Sequence, residues 1–201
     1  MRKTIIFDLG GVLIDWNPKN VYKSYFETNE GMDYFLNNVC TLAWNEEQDG
    51  GRPIEEANEI LLRQFPEYTK EILAFYGEWE SMLNGAIEST VGILKSIRNQ
   101  SDQVFALTNW SAETFPIAIK QFEFLGWFDG ILVSGQEKLK KPDPKIYQLL
   151  LEKFDLHSKD CLFIDDNLRN VNAAINEGIE SIKYENPVQL KDQLSLHGIM
   201  V

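Results

Sequence analysis

The chain has 201 residues, 44% of them hydrophobic and 25% charged, with 31 acidic against 19 basic side chains and a net charge of −12. This is a globular composition, long enough for one domain or one domain carrying an insertion. The acidic balance excludes the basic stripe that nucleic acid requires and disfavours anionic membranes. Cys40 and Cys161 belong to no CxxC or Cys/His cluster, so they point to neither a zinc site nor a disulfide framework.

The first apolar run, Ile5-Ile6-Phe7, is cut off by Asp8 and is too short for the core of a signal peptide. No stretch reaches the roughly 18 apolar residues of a membrane span. A cytoplasmic, reduced protein is expected. Residues 4–8 form an apolar run without alternation, the texture of a strand buried on both faces of a parallel sheet.

Residues 16–85 have a different texture. Helical patterns lie near 18–27, 31–39, 41–48, 55–65 and 68–82, and no strand is expected among them. The segment holds half of the chain's aromatic residues and 13 acidic against 5 basic side chains. From residue 86 onward, apolar runs at 103–108, 130–134 and 161–165, with a weaker one at 179–183, alternate with helical patterns at 86–99, 111–123, 144–154, 167–177 and 187–196. The alternation predicts an α/β fold: a doubly wound, mostly parallel, Rossmann-like sheet built from residues 1–15 and 86–201. Residues 16–85 form an all-α helical-bundle cap inserted after the first strand.

Four segments could carry chemistry. Asp8 ends the first strand and is followed by Gly10-Gly11, and ligands of open parallel sheets bind beyond the carboxyl ends of the strands. Thr108-Asn109-Trp110-Ser111 closes the second core strand and offers a hydroxyl, an amide and helix N-terminal N–H groups to an anion. Lys138, Lys140 and Lys141 precede Asp143-Pro144, a helix start. Asp165-Asp166-Asn167 ends the 161–165 strand; one acid there is a helix cap, but a second is not explained by capping. Bringing this pair beside Asp8 concentrates like charge and raises carboxylate pKa values, a conflict that a hard cation such as Mg²⁺ removes.

In order and spacing these segments resemble the four motifs of the haloacid dehalogenase (HAD) superfamily. Phe7–Leu13 is similar to the first, Leu107-Thr108-Asn109 to the second, Lys141–Tyr147 to the third and Phe163–Asn167 to the fourth; the cap matches in placement and helical character only. The resemblance implies a Mg²⁺-dependent phosphatase acting on a small phosphorylated metabolite, such as a sugar phosphate. Asp8 is then the nucleophile that forms an aspartyl-phosphate. It also implies that Asp8, the Gly10 carbonyl and Asp166 hold Mg²⁺, with Asp165 ligating directly or through water. Thr108 and the Asn109 amide bind phosphate, and Lys141 offsets charge. A monomer or homodimer is expected.

One position departs from the pattern. Many phosphatases of this family carry an acid–base Asp two residues after the nucleophile, where this chain has Gly10, and general acid–base help is worth about 10²–10⁴ in rate. Asp15 is a candidate substitute. Two other readings stay open: a metal-free 2-haloacid dehalogenase using Asp8, which the Asp165-Asp166 pair disfavours, and a non-catalytic binding module. Among the cap residues, Trp16, Tyr22, Trp44 and Trp79 could line a substrate pocket, and Arg52 is the candidate for substrate contact. His157 and His197 adjoin no motif, and no Ser-His-Asp or P-loop spacing is present.

Overall fold

The computed structural model describes residues 3–100 and 103–201; the first two positions of the expected core domain lie outside it. Five parallel strands form the main sheet: β1 (Thr4–Phe7), β4 (Val104–Thr108), β5 (Gly130–Val133), β6 (Cys161–Asp165) and β7 (Glu180–Lys183), in the order β5-β4-β1-β6-β7. β1, β4 and β6 are central, and Ile5–Phe7, Val104–Leu107 and Cys161–Ile164 are buried on both faces. Their continuous apolar runs reflect that double burial. Helices Glu88–Asn99, Phe115–Gln121, Pro144–Lys153, Leu168–Asn176 and Pro187–Leu196 cover the sheet. Asp143 and Asn167 cap two of them by accepting the backbone N–H groups of Lys145 and Arg169.

The strand order changes direction at β1. Its carboxyl end therefore opens into the crevice where doubly wound sheets bind ligands, between β4 on one side and β6 on the other.

Between β1 and the next core helix the chain leaves the sheet and returns. Helices Lys19–Tyr22, Asn29–Asn38, Leu42–Asp49, Ile54–Gln64, Thr69–Gly77 and Trp79–Met82 fill the excursion. Its interior is aromatic: Tyr22 packs 4.9 Å from Phe35, and Phe75 lies 5.1 Å from Trp44. Contrary to the expectation of no strand over 16–85, the excursion is entered and left through an antiparallel ribbon, β2 (Ile14–Trp16) against β3 (Leu83–Ala86). Segments of three and four residues are too short to show a period of two, and Leu-Asn-Gly-Ala lacks β-forming residues, so the ribbon exists only through its pairing. Two helices are also shorter than their sequence patterns. The 68–82 pattern breaks at Gly77-Glu78 into two helices, and the 111–123 pattern becomes helical only at Phe115, next to Pro116.

Candidate active site

Asp8 follows the last residue of β1, and the chain turns sharply after it. Leu9 C=O accepts from the N–H groups of Leu13 and Ile14 at 2.8 and 2.9 Å, and Leu9 N–H donates to the Asp8 carboxylate at 2.7 Å. Gly11 has φ +74°, and a Cβ built there meets Asp166 Oδ2 at 2.4 Å, so a side chain is excluded by conformation and by contact. The turn thus lies directly against the end of β6. At Gly10, by contrast, a Cβ meets nothing within 4 Å.

The parallel registers set the three strand ends side by side. Carboxylate oxygens of Asp8, Asp165 and Asp166 lie within 4.8 Å of one another. Asp8 and Asp165 are buried and Asp166 is exposed. Lys141, itself buried, enters between them: its Nζ lies 2.7 Å from Asp165 Oδ2, 3.0 Å from Asp8 Oδ1 and 2.9 Å from Leu107 O. Those three acceptors use its three donors. Asp165 is saturated as well, because it also accepts from Asn167 N–H at 2.7 Å and from Asn170 Nδ2 at 3.1 Å.

One ammonium cannot satisfy three acids. Burial, then Asp165 and Asp166, push Asp8 above the usual carboxylate range against the pull of Lys141. Burial and Asp165 likewise raise Asp166. The Lys141 pKa is raised too: burial opposes its charge, but Asp165 and Asp8 outweigh it. A hard divalent cation fits this oxygen donor set, because it offsets the excess negative charge where the Gly10–Gly11 turn and Asp166 meet.

Thr108 ends β4 with a buried hydroxyl that has no hydrogen-bond partner among the described residues. An unmade buried hydrogen bond costs about 1–3 kcal/mol, so this atom is free for an incoming acceptor. Asn109 is committed elsewhere. Its Nδ2 donates to Lys141 O at 2.9 Å and its Oδ1 accepts from Lys141 N–H at 2.8 Å. The Asn109 side chain, expected to bind phosphate, clamps the Lys141 loop while also lining the cavity. Nor do helix N–H groups stand at Ser111, since that helix begins at Phe115.

A cavity of about 290 Å³ opens over these strand ends. Its floor includes Asp8, Gly10, Gly11, Asn109 and Asp166, and its far wall comes from the excursion. Trp16 and Trp79 line it, 5.5 Å apart, and Trp79 stands 6.4 Å from Trp110. Trp44 and Tyr22 do not line it and are buried in the aromatic interior. Two further candidates stand outside this cavity. Arg52 does not line this cavity; its Nε donates to Gln48 Oε1 at 2.8 Å and its Nη2 to Trp44 O at 3.1 Å. Asp15 is an exposed residue of β2 that accepts from Asn84 Nδ2 at 2.8 Å, away from the cavity.

Asn45, Glu46, Asp49 and Arg169 line the cavity although no sequence motif marks them as its residues. The signal for two of them is weak but real: Asn45 and Asp49 are four residues apart, on one face of the helix Leu42–Asp49.

A family model of haloacid dehalogenase-like hydrolases matches residues 2–178. The sesquiterpene phosphatase astK of Aspergillus oryzae is 28% identical over 172 residues, 86% of this chain and 84% of that protein. A phosphorylated carbohydrates phosphatase of Thermotoga maritima is 25% identical over 187 residues, 90% of this chain and 83% of that protein. Among solved structures, an aspartate-to-alanine mutant of a HAD family enzyme of Bacteroides thetaiotaomicron, in complex with magnesium and inorganic phosphate, superposes with a TM-score of 0.71 at 21% identity, covering 92% of this chain and 95% of that one.

Proposed function

The chain belongs to the haloacid dehalogenase-like hydrolases, and from that premise we propose that it is a Mg²⁺-dependent phosphatase of a small phosphorylated metabolite, working through an aspartyl-phosphate on Asp8. The observation that carries this reading is the convergence of Asp8, Asp165 and Asp166 within 4.8 Å, around a single lysine, at the floor of the cavity. Asp8, the Gly10 carbonyl and Asp166 are the groups to hold Mg²⁺. Asp165 is engaged by Lys141, Asn167 and Asn170 and therefore acts by positioning. Bound there, Mg²⁺ supplies electrostatic stabilisation of the transferring phosphoryl group.

The chain's own residues divide the rest of the work. Lys141 holds the Asp8 carboxylate in place, and Leu9 N–H fixes one of its oxygens. The Thr108 hydroxyl, without a partner among the described residues, receives a phosphate oxygen. Phosphoryl transfer asks for positioning and charge stabilisation, which these groups provide. The tryptophan walls offer flat apolar faces, and Glu46 and Asp49 offer acceptors, a combination suited to a hydroxylated body such as a sugar. The acidic excursion repels a second anionic group. A volume of about 290 Å³ lies at the low end for ligand pockets and favours a small leaving group.

A panel of phosphomonoesters, read by released phosphate, tests the proposal. Turnover is expected with Mg²⁺, is lost in EDTA, and is lost in Asp8→Asn without a fall in melting temperature. Chloride release from 2-chloropropionate in EDTA, with no phosphate release from any ester, overturns it in favour of a dehalogenase.

A further inference from the structure

Hydrolysis of a phosphomonoester moves two protons: the leaving alkoxide takes one and the attacking water gives one up. The cavity lining holds few groups able to do this. Among the described residues no His, Cys, Tyr or Lys lines it, and its titratable residues are Asp8, Glu46, Asp49, Asp166 and Arg169. Asp8 and Asp166 have roles at the floor. Glu46 and Arg169 are paired with each other at 2.8 Å. Asp49 remains, buried to 7% exposure and without an ion pair among the described residues.

Its surroundings hold it in place. The Asp49 backbone C=O accepts from Ser134 Oγ, a core residue, at 2.5 Å, so the end of this helix is tied to the core. The carboxylate accepts from Asn45 Nδ2 at 3.2 Å. That amide is oriented in turn by a chain of donors running through the interior: Arg52 Nε to Gln48 Oε1 at 2.8 Å, Gln48 Nε2 to Tyr76 Oη at 2.9 Å, and Tyr76 Oη to Asn45 Oδ1 at 2.9 Å. With every link donating toward Asp49, Asn45 must present its NH₂ and not its oxygen. Buried polar chains of this kind fix one geometry.

On the strength of this placement, and resting on the phosphatase reading above, we propose that Asp49 is the general acid and base of the reaction, delivered by the inserted helices to a site whose Gly10 carries no carboxyl. In the first step an Asp8 oxygen bonds to phosphorus, the P–O bond to the leaving group breaks, and its electron pair takes the proton of the Asp49 carboxylic acid. In the second step water attacks phosphorus, Asp49 carboxylate takes the water proton, and the P–O bond to Asp8 breaks to restore its carboxylate. The Asp49 proton is thus given and recovered once per turnover. Burial and Glu46 push the carboxyl up, while Lys140, the Ser111 backbone N–H and Lys141 pull it down, leaving it at about 7, with Tyr76 also nearby. A group poised there serves both roles at neutral pH.

The experiment uses the full chain with Mg²⁺ and two probes, glycerol 2-phosphate and p-nitrophenyl phosphate, on wild type, Asp8→Asn, Asp49→Asn and Asp49→Glu. Asp49→Asn should lose about 10²–10⁴-fold in turnover of the alkyl ester. With the aryl ester, whose leaving group needs no proton, it should keep a burst of p-nitrophenolate followed by slow turnover, which also shows that the variant is folded. The limb of the wild-type pH profile near 7 should vanish in Asp49→Asn and return in Asp49→Glu. Unchanged alkyl-ester turnover and pH profile in Asp49→Asn, beside an inactive Asp8→Asn, would falsify the role of Asp49 alone. Full activity in Asp8→Asn removes the aspartyl-phosphate on Asp8, and no turnover of either ester by the wild type removes the phosphatase reading itself.

Discussion

At Lys141 one ammonium faces Asp8 at 3.0 Å and Asp165 at 2.7 Å with its own side chain fully buried. Coulomb attraction between buried ions is offset by the cost of desolvating them, so the triad is not a net source of stability in proportion to its short distances. Breaking it is another matter. Lys141→Met leaves the Asp165 carboxylate, beside Asp8, in the interior with no counter-charge, a situation that costs about 3–5 kcal/mol. Denaturant unfolding at pH 7 should register a loss of that size together with loss of phosphatase activity. The deficit should shrink as the pH falls, because protonation removes the stranded charges. A deficit that is unchanged by pH contradicts the electrostatic account and leaves only lost packing of the lysine stem.

The helix Leu42–Asp49 is short, and the site depends on its register. Its start is fixed by Thr41, whose hydroxyl accepts from Trp44 N–H at 3.1 Å. Thr41→Ala should cost about 1 kcal/mol, seen as a fall of about 2–4 °C in the melting temperature. If Asn45 and Asp49 are delivered by this helix, alkyl-ester turnover should fall in the same variant; a lower melting temperature with full turnover places the control of register at Ser134 instead. The same helix shows what a sequence can and cannot reveal. Asp8, Asp165 and Asp166 are legible because they stand at the ends of doubly buried apolar runs, a signal carried by several neighbouring residues. Asn45 and Asp49 are far less so, because their place in the cavity wall depends on a contact with Ser134, 85 positions away from Asp49. Asn109 and Arg52 have the look of ligand groups, yet both are occupied by backbone acceptors, and no local pattern distinguishes those fates. The β2–β3 ribbon is hidden for a related reason: strands of three and four residues acquire their identity only from each other.

Across the whole molecule the buried acids set how stability changes with pH. Asp8, Asp49 and Asp166 each have an ordinary value of 3.8 that folding raises, chiefly through burial. Over the interval from 3.8 to the folded values, the native chain binds more protons than the unfolded one, so stability falls as the pH rises. Their contribution is complete below 3.8 and, for Asp49, is lost as the pH rises through about 7. Glu47 and Glu180 act oppositely, because Lys140 and Lys3 lower their values, but that effect lies below their ordinary 4.5. Between about pH 5 and 8 the raised acids therefore dominate, and the net charge of −12 adds repulsion in the same direction. Mg²⁺ competes with protons for Asp8 and Asp166 and binds only the folded site, so its stabilisation should grow over the same interval. Thermal melts in EDTA are expected to show a falling midpoint from about pH 5 to about pH 8. Melts in millimolar Mg²⁺ should show a shift over EDTA that is small at the acidic end of that range and larger at the alkaline end, and that is lost in Asp166→Asn. A Mg²⁺ shift independent of pH, or one retained in Asp166→Asn, places the ion away from the ends of β1 and β6.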